Sequence, residues 1–350
     1  MKKLRVILLI TICIAIISTI VCYIFLSIPI GKCKVDGDII ENSSYFPGAL
    51  ARIDDKLYYN YYGNVFNSGV YEISENETNK IQSADLSAFI PSFIIDLPEF
   101  IPYENELILH QGLEISTYDI KTKNSSLLMA NDIYYSYEIM VFEGKAYLYK
   151  DNKLYRYKDG DFEHLHTFDK KVLNYCVFDN VVYYAVKSAD VIDIYKTKLG
   201  SNISDHITQL PNEYIANILV DENYIYITHC NFDNSLRKIL QVNIINSKVS
   251  VIYENNLISP ESIKENSEVV GLSSNISTYY NGNIYYGNNS ENKYMGLYVY
   301  NELTQSSKKL IDNNVRELYI IDSKYIYFVD NNDTLYRITQ DGKSLEKVFG

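Results

Sequence analysis

Residues Tyr325 to Phe349 read YIYFVDNNDTLYRITQDGKSLEKVF. The run opens on aromatic and β-branched residues, breaks at Asp330-Asn331-Asn332-Asp333, resumes as TLYRI, breaks at Asp341-Gly342 and resumes through Val348-Phe349. Aromatic and β-branched side chains suit a pleated, half-buried surface, while Asn, Asp and Gly tolerate the positive φ that tight hairpins need. The stretch therefore reads as three strands and two turns. A further strand precedes it, Leu318-Tyr319-Ile320-Ile321-Asp322, which also ends on a turn signal.

The phrase recurs upstream. Apolar, often tyrosine-bearing centres stand at Leu57-Tyr58-Tyr59, Leu107-Ile108-Leu109, Ala146-Tyr147-Leu148, Val182-Tyr183-Tyr184, Ile225-Tyr226-Ile227 and Ile284-Tyr285-Tyr286, ahead of Ile326-Tyr327-Phe328 in the last copy. Each is followed by a second strand: GVYEI from Gly69, LEISTYDI from Leu113, KLYRY from Lys153, DIYKTKL from Asp193, SLRKILQVNI from Ser235, GLYVY from Gly296 and TLYRI from Thr334. Trailing strands appear as KVSVIYEN from Lys248, KKLI from Lys308 and EKVF from Glu346. The centres lie 36 to 59 residues apart, about 45 on average, which is the repeat length of a propeller blade.

A four-stranded antiparallel unit has two apolar faces that it cannot bury alone, so units stack face to face and radial repetition closes a ring. No long 3.6-residue periodicity follows residue 30, which argues against helical repeats. The expected fold is all-β, a seven-bladed β-propeller of four-stranded antiparallel blades over residues 48–350. Two closures are open from the sequence: packing of the last blade on the first alone, or addition of the segment DGDII from Asp36 to a terminal blade. The acidic hairpin tips read as ordinary turns, since none has the twelve-residue spacing, glycine and closing Glu of a calcium loop.

The phrase IYFVDNNDTLYRITQDG resembles the YWTD repeat of low-density-lipoprotein-receptor-type propellers, and more closely the bacterial propeller domains of unknown function related to them. The shared features are an aromatic pair on the second strand, a short hairpin, and Leu-Tyr-Arg-Ile before Asp-Gly. The resemblance implies the fold and an extracellular binding role. No copy contains Trp, the motif's Asp survives best at Asp330, and no ligand residues carry over.

The N-terminus has a different composition. Lys2, Lys3 and Arg5 precede an uncharged apolar run from Val6 to Ile30. As a helix this run reaches about 37 Å, enough to cross a hydrocarbon core of roughly 30 Å with tilt. No A-x-A-like cleavage site follows it, so an uncleaved anchor is expected. The positive-inside rule keeps residues 1–5 in the cytoplasm and sends a linker, 31–47, and the propeller to the far side of the membrane. Lys32 and Lys34 on the far flank oppose that rule unless they snorkel to the outer headgroups. The expected location is the cell membrane, with a single span.

Formal net charge is −12, and −15 once Lys2, Lys3 and Arg5 are set aside. Such a body repels phosphate backbones, so no nucleic acid partner is expected. The 35 Tyr and 13 Phe suit strands that bury a ring and leave a hydroxyl wet or paired. Zero Trp argues against resemblance to sialidase-type and quinone-cofactor propellers. Only Cys33, Cys176 and Cys230 lie outside the apolar run, an odd number that offers no disulfide framework, and Cys176 and Cys230 read as buried thiols.

Motifs for catalysis and metal binding are incomplete. Gly271-Leu272-Ser273-Ser274-Asn275 lacks the second glycine of a nucleophile elbow. His164 and His166 share a strand face by simple alternation but have no third ligand, and they read as an exposed outer-strand pair. His229 and Cys230 point to opposite faces and cannot chelate together. No catalytic residue, metal site or cofactor is assigned.

Two insertions lengthen the repeat. Leu86 to Pro102 is apolar and carries three prolines, and Phe89, Phe93, Ile94 and Phe100 are its candidate contact residues. Asn255 to Asn275 is polar, and SPESIKENSE within it reads either as a short helix after Pro260 or as a disordered surface loop. Insertions in repeat arrays collect on loops of a binding face. The expected function is a membrane-anchored extracytoplasmic binding or scaffold module for an envelope or extracellular protein, peptide or glycan. The alternative is a propeller hydrolase or lyase using carboxylate or His chemistry in the central funnel.

Overall fold

The computed structural model describes residues 11–12, 14–16, 18, 31–38, 48–61, 67–83, 99–104, 106–111, 114–130, 138–230, 236–254, 276–288 and 295–350. Among these residues the strands form seven four-stranded antiparallel sheets, the blades of a propeller. Blade 1 comprises β1 (Leu50–Ile53), β2 (Lys56–Tyr61), β3 (Gly69–Ile73) and β4 (Thr78–Ser83). Blade 2 comprises β5 (Glu99–Tyr103), β6 (Glu106–Gln111), β7 (Glu114–Asp119) and β8 (Asn124–Ala130). Blade 3 has β9 (Glu138–Phe142), β10 (Lys145–Lys150), β11 (Lys153–Lys158) and β12 (Asp161–Thr167). Blade 4 has β13 (Val172–Phe178), β14 (Val181–Ser188), β15 (Val191–Lys198) and β16 (Ser204–Pro211). Blade 5 contains β17 (Ile215–Val220), β18 (Tyr224–Cys230), β19 (Leu236–Asn243) and β20 (Val249–Glu254). Blade 6 contains β21 (Ser277–Tyr280), β22 (Asn283–Asn288), β23 (Gly296–Asn301) and β24 (Ser306–Ile311). Blade 7 contains β25 (Glu317–Tyr319), β26 (Tyr325–Val329), β27 (Leu335–Thr339) and β28 (Leu345–Phe349).

The first strand of each blade is innermost, and successive inner strands touch around the axis. The tyrosine-rich centres fall on the second strands, where Tyr58, Tyr59, Tyr147, Tyr226, Tyr286 and Tyr327 are almost fully buried. Burying such a ring contributes about 2–3 kcal/mol, provided its hydroxyl finds a partner. Blades 5 and 7 meet that condition with the same local device. Asp221 Oδ1 accepts the N–H groups of Asn223 and Tyr224, and its Oδ2 accepts Tyr226 Oη–H at 2.9 Å. Asp322 likewise accepts the N–H groups of Lys324 and Tyr325 and takes Tyr327 Oη–H at 2.8 Å. One carboxylate thus forms the first turn and anchors the buried ring.

Every outer strand carries a register break against its neighbour, and the unpaired residue is Ile81, Leu128, Leu165, Ile207, Ile252, Leu310 or Val348 in blades 1 to 7. The bulge increases local twist and breaks the regular pattern of edge hydrogen bonds that invites sheet extension. It also revises the reading of His164 and His166. Leu165 is the bulged residue between them, so simple alternation fails. His164 packs edge-on against Tyr155, while His166 is buried against Phe168. Of the expected exposed pair, His164 is exposed and His166 is buried.

The ring closes by packing of blade 7 on blade 1. Phe349 sits among Tyr59, Tyr61 and Tyr71 with ring centroids 5.4, 5.3 and 4.9 Å away. Tyr319 Oη accepts the Ala49 N–H at 2.7 Å, and Tyr59 Oη donates to Asp333 O at 2.7 Å. Residues 31–38, read as linker in the sequence, lie along the same seam without forming a strand. Arg337 Nη1 donates to Lys34 O at 2.7 Å and to Cys33 Sγ at 3.0 Å, and the Cys33 N–H donates to Ser74 O. Lys324 pairs with Asp36, and Asp38 exchanges hydrogen bonds with Ser323. A side chain at position 37 would put Cβ 2.6 Å from Asp322 Oδ1, so only glycine fits there. Blade 7 packs directly on blade 1; of the segment DGDII only Asp36, Gly37 and Asp38 are described, and they clasp the seam without pairing as a strand.

Of the expected span 6–30, only Thr11, Ile12, Ile14, Ala15, Ile16 and Ser18 are described, and all six are helical. Among the described residues no helix is long and apolar enough to cross a membrane.

Candidate binding rim

Because consecutive strands are antiparallel, each blade sends its first and third turns to one rim of the ring. Its middle hairpin and the connection to the next blade go to the other rim. The first rim is closed by short turns such as 54–55, 143–144, 179–180 and 281–282. The strand ends that flank 62–68, 84–98, 131–137, 231–235, 255–276 and 289–295 all lie at the second. Both insertions read from the sequence therefore leave the blades from strand ends at the same rim.

Phe89, Phe93 and Ile94 lie outside the described residues, as do the helix expected after Pro260 and the Gly271–Asn275 stretch. Phe100 belongs to β5, where its backbone pairs with Leu109. The end of the first insertion, Glu99–Pro102, is thus part of an inner strand, with Ile101 fully buried.

The described part of the long-connection rim carries a charged cluster in blade 5 that was not read from the sequence. Glu213, just before β17, lies 2.8 Å from Lys238 Nζ, 3.4 Å from Arg237 Nη1 and 3.5 Å from His229 Nδ1. Bulges put these groups together. Ala216 is the extra residue opposite the His229–Thr228 step, and Arg237 is the extra residue opposite the His229–Cys230 step. Bulges re-aim side chains and concentrate near functional sites.

The cluster is nearly enclosed. Burial, then the charges of Lys238 and Arg237, hold the His229 pKa down at about 3, so the imidazole is neutral. With His229 neutral, one carboxylate faces two cations. Arg237 Nη1, both His229 ring nitrogens and Glu213 Oε2 are buried and make no well-formed hydrogen bond among the described residues. A neutral imidazole offers one donor and one acceptor, so this set of donors and acceptors favours a polar occupant such as a peptide segment over further apolar packing. The sequence signal was present in SLRKILQVNI, where two adjacent cations interrupt an apolar strand.

Other candidate chemistry is dispersed. Cys176 and Cys230 are buried and in no disulfide among the described residues, and burial raises the Cys176 pKa strongly. Cys33 is pushed up to about 11, chiefly by burial, with Arg337 opposing. On the inner strands Asn174 Nδ2 donates to Ala216 O, Asn217 Nδ2 donates to Ser277 O, and Ser277 Oγ donates to Asn217 Oδ1. These polar groups stitch blades 4, 5 and 6 together. No group of three or more metal-binding side chains occurs among the described residues.

No protein-family model matches the chain, and no curated protein matches it. Solved structures share its architecture at low identity. A puromycin-hydrolysing peptidase of Mycobacterium tuberculosis aligns at 10% identity and a TM-score of 0.56, covering 92% of this chain and 56% of that one. YCF48 bound to D1 peptide aligns at 10% identity and a TM-score of 0.53, covering 90% of this chain and 99% of that one. The extracellular domain of a B. thetaiotaomicron one-component system aligns at 13% identity and a TM-score of 0.50, covering 90% of this chain and 40% of that one. The chain spans about half the length of the peptidase and less than half of the sensor. These likenesses carry the fold alone, and they single out no YWTD-type family. The chain is a seven-bladed β-propeller.

Proposed function

We propose that the chain is a membrane-tethered, extracytoplasmic binding module that receives a peptide segment of a cell-envelope protein on its long-connection rim. The observation that carries this reading is that the strand ends flanking both insertions and the longer hairpins lie at one rim, the rim that also holds the Glu213, His229, Arg237 and Lys238 cluster. Residues 31–38 meet turn residues Ser74, Ser323 and Lys324 on the opposite side, so a tether entering there leaves the long-connection rim turned away from the bilayer. The basic residues before Val6 support that orientation. A D1 peptide bound to one structural neighbour and the extracellular placement of another agree with the reading.

The test uses the full-length chain in intact cells. A Ser201→Cys variant should react with a membrane-impermeant maleimide without lysis, and replacing 84–98 by a short turn should abolish a chemically cross-linked complex. Labelling only after lysis would refute the orientation. A complex unchanged by the replacement would refute the role of that connection.

A further inference from the structure

A second candidate site lies outside the rim just described, in the groove between blades 5 and 6 on the short-turn side. It encloses about 590 Å³, and its wall includes Tyr224, Gln241, Asn243, Asn246, Lys248 and Tyr300. That volume lies within the range of small-molecule sites. Lys248 is the only charged residue in the described wall, in a chain with 44 acidic and 32 basic residues.

Three amides in this wall have their oxygens engaged inside the protein. Asn243 Oδ1 accepts the N–H groups of Ile245 and Asn246, each at 3.0 Å, which shapes the turn between β19 and β20. Asn246 Oδ1 accepts the Lys248 N–H at 3.0 Å. Gln241 is only 7% exposed, and its Oε1 accepts Ser250 Oγ–H at 3.3 Å. Each oxygen thus fixes the orientation of its amide, and each –NH₂ remains a donor for the groove. The Lys248 ammonium adds further donors, and the Tyr224 and Tyr300 rings supply aromatic surface.

We infer that this groove binds an oligosaccharide whose sugars bear carbonyl acceptors, as acetamido or carboxylate groups. Plain hydroxyls both donate and accept, and a wall biased toward donors distinguishes them poorly. Carbonyl oxygens only accept, so they match fixed amide donors. An aromatic surface beside those donors suits the mixed apolar and polar faces of a pyranose ring. The site is independent of the peptide-binding rim, because no residue is shared.

The test measures binding of triacetylchitotriose and of trigalacturonate to the full-length protein by calorimetry and saturation-transfer NMR. Saturable binding of either probe is expected, weakened at least ~10-fold by Gln241→Met, which removes one buried donor of hydrogen bonds to the ligand. The Gln241–Ser250 register of β19 and β20 is a backbone pairing, and the freed Ser250 hydroxyl can turn to the Gln241 backbone oxygen, so the strand pairing survives the substitution. An exposed Lys248→Ala variant should weaken trigalacturonate and leave triacetylchitotriose unchanged, which separates the two acceptor types without risk to the fold. Failure of both probes to bind at millimolar concentration would overturn the inference. Equal binding by wild type and a folded Gln241→Met protein would also overturn it.

Discussion

Replacing Glu302 with Gln should stabilise the ring at alkaline pH and have little effect at mildly acidic pH. Glu302 follows β23 in blade 6 and faces Asp221 of blade 5 across the seam, and Tyr226 Oη, whose one proton goes to Asp221 Oδ2, also lies within hydrogen-bond distance of Glu302 Oε1. Tyr279 Oη–H reaches Glu302 Oε2 at 3.5 Å, and Glu222 adds a second negative charge near Tyr279. Burial and then the Asp221 charge raise the Glu302 pKa from 4.5 to about 7. At the corresponding place between blades 7 and 1, Asp322 faces Arg52 at 3.7 Å. One buried Asp thus meets a cation, and the other meets a carboxyl.

A raised carboxyl pKa means that the folded state binds the proton more tightly than the unfolded chain. Stability is fully present below about pH 4.5 and is lost as pH rises through about 7. The whole shift would correspond to about 3 kcal/mol, but water reaches Glu302, and screening reduces the expected loss at pH 8 to about 1 kcal/mol. Glu302→Gln should recover about 1 kcal/mol at pH 8, or roughly 2 °C in Tm for a chain of this size, with no gain at pH 5. Thermal melts of both proteins at pH 5 and pH 8 measure the difference. An equal shift at both pH values, or a loss at pH 8, would refute the reasoning.

Phe349→Ala should cost about 3–4 kcal/mol, because it empties the aromatic contact between blades 7 and 1, and chemical denaturation would measure it. Arg337→Met removes the donor that holds Lys34 O and Cys33 Sγ, so trypsin should cut after Lys34 faster while the remaining ring stays resistant. For His229, whose pKa is depressed, stability is present above about pH 6.5 and is lost as pH falls toward about 3. His229→Asn should therefore reduce the loss between pH 7 and pH 4, read as the difference between denaturation midpoints at the two pH values.

The ring was legible because its signal is repeated. Tyr58, Tyr147, Tyr226, Tyr285 and Tyr327 mark second strands by residue type alone, and the Asn- and Asp-rich turns between strands set the blade pattern. The charged cluster was not legible. Glu213 and Arg237 are separated by much of a blade, and only the two bulges bring them to His229. The bulges defeat period-two reasoning, as His164 and His166 show. One apolar residue in each polar outer strand, Ile81 or Leu165 for example, was the available sign of them. The clasp depends on contacts such as Arg337 to Lys34, separated by most of the chain, which no local pattern encodes.

Use of one rim by the partner is tested most directly by site-specific photo-cross-linking in cells making the full-length chain. The photoreactive residue is placed in turn at Phe93 and Ser262, within the two insertions that leave strand ends of the long-connection rim, and at Ser201 and Ser247 on the short-turn rim. A protein adduct of one mass from positions 93 and 262, absent from 201 and 247, is the predicted result. The same adduct from the short-turn positions, or adducts from those positions alone, would contradict it.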